Sequence, residues 1–125
     1  MLRTSNLVAF VAVRDPERAI KFYRDTLGLG LVSDELPFAL VFDVQGTMLR
    51  VTVVKELTPA AHTILGWKVS NIDAEVDALR AAGVVFERYS PKMGQDERGI
   101  WTSPSGARVA WFQDPDGNVL SITQF

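Results

Sequence analysis

The chain has 125 residues, 47% hydrophobic and 22% charged, with a net charge of −2 and no cysteine. This composition describes one globular domain, 1–125, able to bury a hydrophobic core. It excludes disulfides, thiolate metal sites and a thiol nucleophile, offers no basic stripe for nucleic acid or a membrane surface, and holds no apolar run near the ~20 residues of a bilayer span.

Met1–Asn6 does not read as a signal peptide, so a cytoplasmic protein is expected. Leu7–Val13 is nearly all apolar and predicts a buried strand. Asp15-Pro16-Glu17 opens a helix as N-cap, first helical residue and first-turn acid. Ala19, Ile20, Phe22, Tyr23 and Leu27 recur at helical spacing, and Gly28 ends the run. Leu29–Ser33, Phe38–Val44 and Met48–Val54 read as strands, the last two folded back at Gln45-Gly46. Residues 55–62 read as a linker.

The same order then returns. Ile64–Val69 is a strand, and Asn71 caps a helix through Ala82 with Ile72, Val76 and Leu79 on one face. Gly83 stops it, and Val84–Glu87 is a further strand. Ala107–Gln113 and Asn118–Thr123 form a hairpin around Asp114-Pro115-Asp116-Gly117, which fits a type I turn. Val13 aligns on Val69 and Gly46 on Gly117, an internal duplication of module one (about 5–54) and module two (about 63–125). The extra residues of the second half gather in Tyr89–Ser105, a long loop with Trp101 and Met93. Loops of that length often act as lids.

"VRDPERAIKFYRDTLGL", "GWKVSNIDAEVDALRAAGV" and "WFQDPDGNVLSITQF" together resemble the vicinal oxygen chelate superfamily of glyoxalases, extradiol dioxygenases and bleomycin-resistance proteins. The resemblance implies an α+β fold of two βαβββ modules whose curved mixed sheets enclose a cupped cavity, usually as a homodimer. It also implies four inward positions for metal ligands. By spacing these fall on Val8, Arg50, Ile64 and Ser121. Two are hydrocarbons, one is a cation and one is a neutral hydroxyl, so no metal and no cofactor is expected. The only histidine, His62, lies in the linker. No glycine-flanked serine elbow or phosphate-loop spacing is present, so no catalytic residue is assigned.

Strand alternation sorts the faces. Phe10, Met48, Arg50, Lys68 and Ser121 should line the cavity, as should Trp111 if the last turn is a three-residue loop that sets it opposite Ser121. Trp101, from the long loop, either stacks over a ligand or serves simple packing or a dimer contact. A buried guanidinium needs a partner. For Arg50 this is either Asp43, diagonal to it across a two-residue turn, or a ligand.

Three readings follow. The first is a metal-independent protein that sequesters a small molecule in an apolar, aromatic cavity. A second is a divalent-metal lyase or dioxygenase of the same superfamily with an atypical site. The third is an interaction module whose cavity is filled by its own side chains.

Overall fold

The first strand, β1 (Val8–Val13), runs parallel to β4 (Thr47–Val53), which is antiparallel to β3 (Ala39–Val44), itself antiparallel to β2 (Gly30–Glu35). The sheet order is β1-β4-β3-β2. In this computed structural model, which describes residues 1–125, the chain divides into two compact units, Met1–Thr58 and Pro59–Phe125. The second unit repeats the topology. Its strands β5 (Thr63–Lys68), β6 (Trp101–Thr102), β7 (Arg108–Gln113) and β8 (Val119–Gln124) stand in the order β5-β8-β7-β6, again with the outer pair β5·β8 parallel. The fold is therefore α+β, two four-stranded mixed sheets built as βαβββ modules.

Each module's helix starts as its sequence dictates. Asp15 Oδ1 accepts the amides of Glu17 (3.0 Å) and Arg18 (3.4 Å) at the head of α1 (Pro16–Ile20). Asn71 Oδ1 accepts the Ala74 amide at 3.1 Å at the head of α2 (Ile72–Ala81). The Ile72 amide, left free by helix geometry, donates to Gln124 Oε1 at 2.9 Å. That bond ties α2 to one face of the second sheet. Arg108, on the same face, pairs with Asp73 at 2.8 Å.

That face holds the core of the second unit: Ala110, Phe112, Leu120 and Ile122 from the strands, Ile72 and Val76 from α2. In the first unit Val11, Val13, Leu40, Phe42, Leu49 and Val51 are buried together with Ala19 and Tyr23 of the helical segment. The Tyr23 and Phe42 rings lie 6.2 Å apart. The other face of each sheet carries no helix.

Three expectations need correction. The first helix does not run uniformly to Leu27: Lys21–Thr26 winds in wider π turns, with the Leu27 amide donating to Phe22 O, five residues back. Apolar spacing over six residues is too short a record to tell the two windings apart. Val84–Glu87 is not a strand. Only Phe86 bridges Phe112 and the Glu87 amide reaches Trp111 O, while Val85 stands exposed. The third correction concerns the same edge of β7, within the supposed long loop. Trp101–Thr102 is β6, and it pairs with Val109 and Arg108 at the other end of β7.

The remaining loop is pinned rather than loose. Gln95 Nε2 donates to Glu87 O and Gly99 O, and its Oε1 accepts the Tyr89 amide. Asp96 Oδ1 accepts the amides of Arg98 and Ile100. Arg88 donates to the carbonyls of Asp96 and Glu97. Arg98 reaches Asp77 on α2 at 3.0 Å.

Candidate functional site

The helix-free face of the first sheet is set by register. Phe10 and Val41 flank Arg50 on neighbouring strands, and Val8 and Asp43 flank Met48. The turn at Gln45-Gly46 has two central residues, both at positive φ (49° and 84°), which is the hairpin turn that gives this register. Phe10 is 63% exposed and Met48 42%, unusual for large apolar side chains on one face. An open groove of about 350 Å³ lies among Leu7, Val8, Val32, Val41, Asp43 and Met48.

Arg50 does not pair with Asp43. Its Nη2 meets Glu35 Oε1 at 3.2 Å, and Ser33 Oγ sits 3.4 Å from the other oxygen of Glu35. The sequence pattern ends the second strand at Ser33, whereas β2 continues to Glu35 through an irregularity between Leu31 and Ser33. That shift brings Glu35 opposite Ala39 and onto the Arg50 face. A bulge leaves no hydrophobic signature in a half-exposed strand, so this partner was not legible.

On the helix-free face of the second sheet, the closing turn is a three-residue loop and Trp111 stands opposite Ser121. Asp114 builds that turn. It is buried, and its carboxylate accepts the Asp116 amide (2.9 Å), the Asn118 amide (2.9 Å) and Asn118 Nδ2 (2.8 Å). Trp101 faces the same side from β6, its ring 6.0 Å from that of Trp111. Tyr89, which the sequence pattern did not single out, completes the cluster with an edge contact to Trp111 at 5.5 Å. Partial burial, with the Glu87 charge adding to it, pushes the Tyr89 hydroxyl above its ordinary pKa. Lys68 lies on this face beside Thr123, two residues from Gly66.

An open, mainly apolar groove of about 480 Å³ runs among His62, Thr63, Tyr89, Met93, Trp111 and Val119. His62 is therefore more than a linker residue, since it borders the aromatic cluster.

The structure thus gathers Phe10, Met48 and Arg50 on one face of the first unit. It gathers Lys68, Trp101, Trp111 and Ser121 on one face of the second.

The four positions at which the resemblance puts metal ligands do not suit a divalent ion. Val8 and Ile64 present hydrocarbon, Arg50 is a cation already held by Glu35, and Ser121 is a neutral hydroxyl. No group of three or more His, Asp or Glu side chains is arranged to hold a metal ion. No helix is long and apolar enough to cross a membrane.

Fold and site define a protein with paired βαβββ modules and hydrogen-bonding and aromatic groups on the open sheet faces. The chain belongs to the Glyoxalase/Bleomycin resistance protein/Dioxygenase superfamily, whose family model matches residues 5–122. It is 32% identical to the uncharacterized protein YraH of Bacillus subtilis strain 168, over 88% of this chain and 90% of that one. Among solved structures it resembles a superfamily member from Sphaerobacter thermophilus (TM-score 0.75, 22% identity, all of both chains). It also resembles TnmS3, an antibiotic-binding protein of a Streptomyces species (TM-score 0.74, 26% identity, 99% of this chain and 98% of that one).

Proposed function

We propose that this protein is a metal-independent small-molecule-binding protein that sequesters its ligand on the aromatic, apolar sheet faces, with Phe10, Met48, Arg50, Lys68, Trp101, Trp111 and Ser121 as contacts. The observation that carries this reading is the donor set at the four expected ligand positions, Val8, Arg50, Ile64 and Ser121, which cannot chelate. The likeness to an antibiotic-binding protein supports it. So does the tight grouping of Tyr89, Trp101 and Trp111, because aromatic rings supply large contact area at small entropy cost. On this reading the protein acts in the cytoplasm, binds no nucleic acid and works as a homodimer. The exposed Leu7, Phe10 and Met48 on the first unit favour a second copy as their cover.

A thermal-shift screen of a chemically mixed library, run with and without chelator, tests the reading. A ligand at 100 times its Kd should stabilise the fold by about 2.7 kcal/mol, with or without chelator. Stabilisation that disappears with chelator and returns with one equivalent of a divalent ion would favour a metal-dependent lyase or dioxygenase instead.

A further inference from the structure

One row of the second sheet's helix-free face is built differently from the rest. Trp111 on β7 stands opposite Ser121 on β8, and Ser121 stands opposite Gly66 on β5. At the usual strand spacing the row is about 10 Å across. It runs from an aromatic wall, over a hydroxyl, to bare backbone.

The duplication supplies a comparison inside the same chain. The matching row of the first sheet is Val41, Arg50, Phe10. Where the first unit has a phenyl ring, the second has no side chain.

Nothing in the backbone demands glycine there. Seven of the nine glycines have positive φ, but Gly66 does not. It sits inside a strand, where glycine weakens the element and often marks the close approach of a ligand. It is exposed. A Cβ at this position would meet Ser121 Oγ at 2.8 Å and Ser121 O at 3.3 Å.

Ser121 is only 7% exposed, but no buried side-chain oxygen of the protein lacks a partner, so its hydroxyl is not stranded. It leans toward the space that the missing side chain leaves open. A hydroxyl at the edge of that open space can exchange water for a hydrogen-bonding atom of a bound molecule.

We propose that the row Trp111–Ser121–Gly66 is a platform for a flat ring molecule with a hydrogen-bonding atom on its edge. The ring rests on the Gly66 backbone, its rim meets Trp111, and the edge atom bonds Ser121 Oγ. No charged side chain belongs to the row itself; the nearest on this face of β5 is Lys68, beside Thr123. This inference rests on the proposed binding function and narrows it to a ligand class, with Gly66 as a specificity-determining residue.

Coumarin and naphthalene are suitable probes: both are flat two-ring molecules, and only coumarin carries hydrogen-bonding oxygens. Tryptophan quenching and calorimetry should show that the wild type prefers coumarin by about fivefold to tenfold, the worth of one hydrogen bond. Ser121→Ala should erase that preference. The double variant Gly66→Ala/Ser121→Ala removes the hydroxyl that the new methyl would strike. It should nevertheless bind both probes more weakly than Ser121→Ala alone, because the methyl occupies the platform.

Equal binding by the double and single variants would mean that Gly66 merely makes room for Ser121, and would overturn the proposal. Amide shifts in the wild type give a reading independent of any variant. Coumarin should move Gly66 and Ser121 most, and shifts centred elsewhere would reject the platform. If the mixed library yields ligands but coumarin is inert, the platform fails while the binding function stands. If no compound of any class binds, the binding function fails with it.

Discussion

Arg50 illustrates how much a single side chain's meaning depends on its neighbour. Its pair with Glu35 is partly exposed, and such pairs contribute only about 0–1 kcal/mol. Removing the guanidinium should therefore cost little stability and much ligand affinity. Arg50→Ala is expected to shift the melting temperature slightly while weakening the ligand found by screening. Unchanged affinity in the variant would remove Arg50 from the site. Asp114 has the opposite balance. It is buried and holds the closing turn through three hydrogen bonds, so Asp114→Ala should destabilise the fold by roughly 1–3 kcal/mol in urea titrations. Arg50 could be recognised from alternation as a residue of the open face. Its partner could not, because the bulge in β2 that delivers Glu35 has no apolar signature.

At the scale of elements, the pieces with strong local chemistry formed where the sequence puts them. Asp15 and Asn71 cap their helices, and Gly83 ends α2 at φ 99°. Asn71→Ala should cost about 1 kcal/mol, measured as a shift in the urea midpoint without a change in slope. The β3–β4 register was equally legible from its two-residue turn, whereas the β7–β8 register turned on a three-residue loop that the sequence left open. The edge of β7 was not legible. Phe86 and Trp101–Thr102 share it, and the sequence distance between them hides that both reach the same strand. Trp101 thus belongs to an edge strand and not to a mobile lid. Its contact with Trp111 is part of the sheet face itself.

At the scale of the whole molecule, the proposed homodimer is open to direct test. Sedimentation at micromolar concentration should show a homodimer, and Phe10→Lys should shift it toward monomer; a wild-type monomer would refute the assembly. Acid supplies a second global test. Arg108 bonding Asp73, and Arg98 bonding Asp77, hold both carboxyls below their ordinary pKa. These groups release more protons in the folded state than in the unfolded one. Their stabilisation is present above the unfolded carboxylate value near pH ~3.9 and is lost as pH falls through the lower folded values. The clasp between α2 and the 95–100 segment should therefore loosen in acid, seen as amide shifts of Arg98–Ile100 during titration. Shifts that leave these amides unmoved down to unfolding would show that the clasp does not depend on these carboxylates.

Local patterns were enough for the repeated βαβββ units, the helix caps, the turns and the open-face placement of Phe10, Met48, Arg50, Lys68 and Ser121. All of these follow from contacts a few residues apart or from a period-two alternation, so they are written locally. Long-range packing settled that Glu35 and not Asp43 meets Arg50, that β6 lies inside the apparent loop, and that Tyr89 and His62 border the Trp111 groove. Those outcomes depend on which of several distant segments wins one strand edge or one charge. That competition is settled by the packing of the folded chain, and no local pattern encodes it.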